Sequence, residues 1–353
     1  MITVGTKAQH YVWRGYLKRW DQKNDSNGRI FVYRKKPIGT QPQLPDKPVL
    51  LANVGFEKYY YDITGFTQED VSLLTQFIDH MEKDIPVKMA LNPNIFSDAN
   101  SKRDFVETIM CNYEDIDNEN KFLDSIVRNE VSFYQDSVMQ IAMNTMLDEI
   151  KFRIIAGEVQ KSDDDLMDIC LNAKIHRDDI DLKYEFHRFF FMQYLRSPVR
   201  IEAQKKGFEK FKADNLDKMG NKNTNFHANF VTIFFAEKMA LNVSRNWHTW
   251  IERIENRTST PFVTSDTPLI NLTGRDLKDK SEFYYPLSPS VAMKLCIAHK
   301  HGCSKGNSNT NIIIADTDKI DSFNQQIVDH CKNEVFSNRR DILEQISNKC
   351  RDI

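Results

Sequence analysis

The chain has no stretch that approaches the roughly 18 consecutive apolar residues of a membrane span. Its start also lacks a basic segment followed by an apolar run, which is the pattern of a secretory signal. The six cysteines contain no Cys-x-x-Cys pair, so neither a zinc ribbon nor a disulfide framework is indicated. We therefore expect a cytoplasmic protein with reduced thiols and no membrane partner.

Motifs for nucleotide cofactors are missing as well. The sequence contains neither Gly-x-Gly-x-x-Gly nor a Walker A loop, which disfavours a Rossmann cofactor and nucleotide hydrolysis. The Arg-to-His spacing of one helical ribonuclease family does not occur either. No familiar motif therefore assigns a reaction.

Proline is scarce in the middle of the chain. Between Asn94 and Ser197 there is no proline and a single glycine, Gly157, which is typical of helices. Apolar spacing and capping residues predict helices near 68–84, 102–113, 119–156, 163–172, 183–197, 200–213, 227–241, 319–336 and 338–350. β-Branched and aromatic runs predict strands near 29–34, 49–54, 261–265, 282–285, 291–298 and 311–315.

These elements predict an α+β fold that is predominantly helical. We expect a sheet built from N- and C-terminal strands, with the large helical middle packed as an insertion. The predicted segments are a basic helix-strand segment at 1–66, the helical middle at 67–255, and a strand-rich segment with terminal helices at 256–353. The first and last segments are expected to share one sheet.

Positive charge is concentrated at the N-terminus. Residues 1–36 hold nine Lys/Arg against two Asp, while the whole chain has a net charge of −2. His10, Arg14 and Lys18 recur every four residues, and aromatic residues at helical spacing form the opposite face, so one amphipathic helix is predicted. Cations beside aromatic rings suit a nucleic-acid partner. The candidate nucleic-acid-binding residues are Arg14, Lys18, Arg19, Arg34, Lys35 and Lys36.

Several local motifs, taken together, resemble one bacterial family. They are His10-Tyr-Val-x-x-x-Tyr-Leu17 with Trp20, Gly28-Arg-Ile-Phe-Val-Tyr33, Glu57-Lys-Tyr-Tyr-Tyr61, Met81-Glu82, Leu195-Arg-Ser-Pro198, Pro261-Phe-Val-Thr-Ser-Asp-Thr-Pro268 and Tyr285-Pro-Leu-Ser-Pro289. The chain is similar to the domain-of-unknown-function family numbered four-two-three-eight over most of residues 9–298. Trp13 stands where that family usually has proline. Because the family has no assigned activity, the resemblance bears on fold and site position rather than on chemistry.

Two residues within these motifs are candidates for acid-base chemistry. His10, beside basic residues, could act as general acid or base near a phosphate, or it could simply bond to backbone at a helix start. Asp266 follows a predicted strand, where a carboxylate can be aimed into a cleft; the alternative is a turn in which it accepts nearby N–H groups ahead of Pro268. We also expect His10 and Asp266 to share one cleft.

Glu130 and Arg196 form a second candidate set. Glu130 falls on the apolar face of its predicted helix, and Arg196 lies near the end of another helix, before Pro198. A buried charge is costly unless it is paired, so these two either form a structural bridge or line a polar cavity.

Metal-ligand residue types occur at Cys296-x-x-His299-x-His301-x-Cys303. If 291–298 is a strand, however, Cys296 and His299 point to opposite faces, so no metal site is predicted. The sequence indicates no particular cofactor. A divalent metal ion held by Asp266 remains an open alternative.

The leading hypothesis is an intracellular bacterial phosphodiester hydrolase (a nuclease) that acts on nucleic acid and has a phage-defence role. In it His10 is the acid/base, Asp266 the base or metal carboxylate, and Arg196 the anion stabiliser. The alternative is a non-enzymatic nucleic-acid-binding or sensor module. The sequence does not separate the two, and it leaves the oligomeric state open.

Overall fold

The computed structural model describes residues 8–10, 12, 14–21, 28–35, 44–58, 119–129, 177–214, 232, 235–236, 239–240, 242–244, 247–274, 280–299 and 309–349. Helices and β-sheets occur together in these residues, so the expected mixed α and β character is confirmed. The helices predicted near 68–84, 102–113 and 163–172 lie outside them. Most of the segment predicted as a helical middle does too, and its helical content stays a prediction.

The elements with defined bounds are as follows. The strands are β1 (Ala8–His10), β2 (Arg29–Arg34), β3 (Val49–Leu50), β4 (Phe56–Lys58), β5 (Trp247–Asn256), β6 (Thr264–Ser265), β7 (Ile270–Asn271), β8 (Lys280–Ser288), β9 (Val291–His299), β10 (Thr310–Ile314) and β11 (Glu334–Ser337). The helices are α1 (Arg14–Leu17), α2 (Glu119–Val127), α3 (Arg177–Leu195), α4 (Pro198–Asp214), α5 (Thr317–His330) and α6 (Arg340–Lys349), with 3-10 turns at Lys18–Trp20 and Leu51–Asn53.

The basic N-terminal segment is not one long helix. His10 lies in β1, which pairs antiparallel with β4, and it stands opposite Phe56. The helix begins only at Arg14 and passes into the 3-10 turn at Lys18. The prediction that His10 starts the helical face of Arg14 and Lys18 is therefore wrong, because pairing with β4 keeps the backbone at His10 extended.

An all-antiparallel sheet joins strands that are far apart in the sequence. Its order is β3-β2-β11-β6. Tyr33 of β2 lies opposite Val335 of β11, and Val335 also lies opposite Ser265 of β6. All three residues are buried. The β-branched and aromatic run of β2 thus occupies an interior position, as its composition favours.

The described strands of a second sheet all lie between residues 247 and 314. Its order is β10-β5-β9-β8-β7; β10 runs parallel to β5, and the other pairs are antiparallel. Strand β5 was not predicted from the sequence, because charged residues such as Glu252, Arg253 and Glu255 interrupt its apolar pattern. Its inner face nevertheless packs Ile251 into the main apolar core.

Helix α2 ends earlier than predicted. The Arg253 guanidinium donates to the carbonyls of Ile126 and Val127, both at 3.0 Å, and so satisfies acceptors that the helix end leaves open. Asn129 then adopts a positive φ of 64°, which cannot continue a helix. The single helix predicted over 119–156 is wrong at this point. Glu130 itself lies outside the described residues.

A strand follows α5 where one continuous helix was predicted. The helix predicted near 319–336 ends at His330, and β11 begins at Glu334. Asp316 caps the start of α5 by accepting from the Asp318 N–H at 3.0 Å. Val335 and Phe336 are fully buried in the four-stranded sheet, and that burial decides against a longer helix.

Candidate functional site

The N-terminal arm is defined as residues 8–20, and its described apolar side chains, Val12, Tyr16, Leu17 and Trp20, are buried. Tyr16 and Trp20 pack in one core with aromatic residues of α3 and the five-stranded sheet. The Tyr16 hydroxyl donates to the Pro286 carbonyl at 2.7 Å and lies 2.6 Å from the Thr264 hydroxyl. The Trp20 indole donates to the Phe262 carbonyl at 3.1 Å. These rings therefore fasten the arm to the C-terminal strands and are not available to stack on nucleic-acid bases.

The opposite side of the arm carries Arg14 and Lys18. Both side chains are exposed, and neither forms an ion pair with the described part of the chain. They stand four residues apart around one turn, with the buried Tyr16 between them. The arm thus presents two neighbouring cations on a firmly packed base.

Three other predicted binding cations have intramolecular partners. Arg19 forms an ion pair with Asp124 of α2, and burial lowers the pKa of its guanidinium. Arg34 donates to Glu334 at 2.8 Å. The Lys35 ammonium donates to two carbonyls at the end of α5, the shorter bond being 2.6 Å. These three cations are thus used within the molecule, and their part in nucleic-acid binding stays a prediction. Lys36 lies outside the described residues.

The Asp266 carboxylate is completely buried and fully used by backbone. It accepts from the N–H groups of Lys332 at 2.9 Å, Asn333 at 2.5 Å and Glu334 at 3.1 Å. Burial raises the pKa of Asp266 to about 6, while these N–H bonds act in the opposite direction. The partners lie in the loop between α5 and β11 and at Glu334, the first residue of β11, not in the local turn proposed as the structural alternative. Because both oxygens are occupied, Asp266 holds this loop in place rather than pointing into an open cleft.

Glu334 connects Asp266 to the arm. Its carboxylate accepts from Arg34 and, at 3.0 Å, from the N–H of Gly55. The Gly55 carbonyl in turn accepts from the N–H of Val12 at 3.2 Å. The backbone of the arm is thereby brought to the strand that Asp266 anchors. The His10 side chain is not among the described ones, so a shared cleft of His10 and Asp266 stays a prediction.

Arg196 follows α3, is 5% exposed, and donates to Gln193 on that helix. Its predicted pairing with Glu130 falls outside the described residues and stays a prediction.

A metal centre is not formed by the residues that the structure describes. No three His, Cys, Asp or Glu side chains among them are grouped to hold an ion. Cys296 is buried in β9, and burial raises the pKa of its thiol to about 12. His299 is the last residue of the same strand, but its side chain is not among the described ones, so the expectation that it faces away from Cys296 stays a prediction.

The contacts above join the arm motif to the motifs at 261–268 and 285–289. A comparison with protein families matches residues 8–341 to the family described as protein of unknown function (DUF4238). The chain belongs to the DUF4238 family. No curated protein and no solved structure matches it. The DUF4238 match covers nearly the whole chain, so these motifs lie within one family unit.

None of the described helices combines the length and apolar character that a membrane crossing requires. This finding agrees with the absence of a long apolar run in the sequence of this DUF4238 member.

Sequence reasoning missed Glu334 as a site residue. It was placed inside a predicted helix, where its neighbours could not be foreseen. The β-branched and aromatic pair Val335-Phe336, just after α5, carries a weak strand signal. Recognising it would have placed this carboxylate on a strand, without identifying Arg34 or Gly55 as its partners.

Proposed function

We propose that the protein binds nucleic acid without cleaving it, through the exposed Arg14 and Lys18 of the arm. The observation that carries the proposal is the two-sided character of this element: buried aromatic rings fix it, and two neighbouring cations face solvent. Cations held in a fixed position neutralise phosphates and release the bound counterions, which is a sequence-independent source of affinity.

The surface proposed here is smaller than the one expected from the sequence. Arg19, Arg34 and Lys35 are engaged inside the molecule, and Tyr16 and Trp20 are buried. Phosphate contact rather than base stacking should therefore supply the affinity. Single strands and duplexes should both bind, with little preference for sequence.

A nuclease with a phage-defence role stays a prediction. Its proposed base, Asp266, is buried and accepts three backbone N–H groups, and that arrangement favours a structural part for this residue. The non-enzymatic alternative needs no further catalytic group and is the better supported of the two.

The test is fluorescence anisotropy with a labelled single-stranded RNA at about 50 mM and about 200 mM salt. Two phosphate contacts predict a salt slope of about −1.4, and hence about a sevenfold loss of affinity over this range. Reversing both charges, in Arg14→Glu with Lys18→Glu, should abolish the salt-dependent binding.

The matched control reverses two other exposed lysines, in Lys319→Glu with Lys349→Glu. It changes the net charge equally but leaves the arm intact, so most of the affinity should remain. Equal losses in the two double variants would contradict a site on the arm. Shortening of the RNA on a gel, with or without Mg²⁺, would instead support the hydrolase.

A further inference from the structure

Glu334 is the point at which three parts of the chain meet. Its side chain is 12% exposed and accepts from Arg34 of β2 and from the Gly55 backbone, with one carboxylate oxygen for each. Its own N–H donates to the Asp266 carboxylate. A nearly buried carboxylate with these partners is held in a single position.

Gly55 connects Glu334 to the arm through its own backbone. It has a φ of +60°, and a Cβ added there would lie 3.1 Å from the Cβ of Val12, so glycine permits both the conformation and the close approach. The Gly55 carbonyl accepts from the Val12 N–H, and the next residue, Phe56, lies opposite His10. The start of the arm is therefore attached to residues 55–56 at two successive points.

Arg14 lies between two anchored parts of the arm. Val12, two residues before it, is tied to Gly55, and Tyr16, two residues after it, is tied to Thr264. With both neighbours fixed, the backbone that carries Arg14 has little freedom to move. Pre-organised contacts bind more tightly because less conformational entropy is lost on association.

We propose that Glu334 is a positioning residue, which sets the arm for nucleic-acid binding by holding Gly55 and, through it, Val12. The expected effect on RNA binding rests on the proposed function, whereas the contacts of Glu334 with Gly55 and of Gly55 with Val12 do not. Asp266 contributes indirectly to the same support of the arm. It accepts from the backbone N–H of Glu334, whose side chain holds Gly55.

Charge alone predicts the opposite effect of losing Glu334. Removing a negative charge near a cationic surface should strengthen the binding of a polyanion. A weaker complex after Glu334→Ala would therefore report lost positioning rather than altered electrostatics. Glu334→Gln separates the two effects further, because its amide oxygen can still accept from the Gly55 N–H.

The experiment measures hydrogen exchange of the 8–17 segment and RNA anisotropy on the same full-length samples. In Glu334→Ala we expect exchange at the Val12 amide to rise at least about tenfold, because its partner Gly55 is released. RNA affinity should fall about fivefold. Gly55→Ala, which acts at the next link, should reproduce both changes. Glu334→Gln should stay within about twofold of the wild type in both.

A matched control is Glu344→Ala on α6, which removes a carboxylate that likewise pairs with an arginine, Arg340, at 3.2 Å. It should leave exchange in the arm and RNA affinity unchanged. Circular dichroism well below the melting temperature verifies that each variant is folded.

Unchanged exchange at Val12 in folded Glu334→Ala would overturn the proposal, and so would faster exchange with undiminished RNA affinity. If wild-type protein binds no RNA while exchange still rises, the proposed function fails but the positioning of the arm by Glu334 stands.

Discussion

The buried Asp266 carboxyl predicts a distinct dependence of stability on pH. Its pKa is about 6 in the folded protein, compared with an ordinary value of 3.8 for the unfolded chain. A raised folded-state pKa means that proton uptake stabilises the folded state. The contribution is complete below about pH 3.8 and is lost as the pH rises through about 6. A difference of about two in pKa corresponds to about 3 kcal/mol.

The variant Asp266→Asn removes this titration while keeping the size of the side chain. Urea unfolding at several pH values gives the free energy of unfolding of both proteins. When the pH is lowered from about 7.5 to about 4, the free energy of unfolding of the wild type should rise by about 2.5 kcal/mol relative to that of Asp266→Asn. Asn is expected to be destabilising throughout, because its NH₂ group would face backbone donors.

Asp341→Asn is the control. Arg339 holds the pKa of this exposed carboxyl below its ordinary value, so its contribution is lost only in stronger acid. The free energies of unfolding of the wild type and Asp341→Asn should therefore differ by a nearly constant amount over the same pH range. If the difference between the wild type and Asp266→Asn is equally constant, the reasoning from burial is refuted. If the wild type instead loses stability relative to Asp266→Asn as the pH falls, the three N–H bonds outweigh burial and keep the carboxylate ionised.

Three further outcomes can be checked by standard measurements. Tyr16→Phe removes the hydroxyl that serves two buried partners and should lower the free energy of unfolding by about 1–3 kcal/mol in urea titrations; a neutral effect would mean that those partners find water. Gly28→Ala should destabilise the protein by about 1–2 kcal/mol, because φ is +56° and the new Cβ would collide with the buried Leu51 side chain. Gly207→Ala, on the open side of α4, should instead stabilise it by up to about 1 kcal/mol. In mass-spectrometric mapping Cys296 should resist thiol reagents until the protein is unfolded, because burial raises its pKa to about 12; labelling in the native state would contradict that burial.

Local patterns were enough to predict several elements of the fold. The β-branched run at 29–34 and the apolar run at 291–298 both form strands, and the apolar spacing of Tyr16, Leu17 and Trp20 correctly indicated a buried face. In each case the signal lies within about ten consecutive residues, where periodicity reports directly on burial.

The partners of charged residues could not be predicted in this way. The separation between Arg19 and Asp124 is 105 positions, and that between Arg34 and Glu334 is 300. A cation destined for such a pair has the same local sequence signature as one that faces solvent. The sequence therefore could not show which basic residues are paired within the molecule. For Asp266 it offered a cleft or a local turn, whereas the partners of its carboxylate lie more than 60 residues away.

The pairing of β2 with β11 has a consequence for the order of events during synthesis. Val32 lies opposite Phe336 in the sheet, and about 300 further residues must be translated before Phe336 is available to pair with it. At typical rates of about 5–20 residues per second, β2 remains without this neighbour for roughly 15–60 seconds. During that time an apolar strand with an open edge is exposed to other nascent chains. A ribosome that stalls before β11 would release a product that cannot complete this sheet, so we expect such truncated chains to require chaperones or to aggregate.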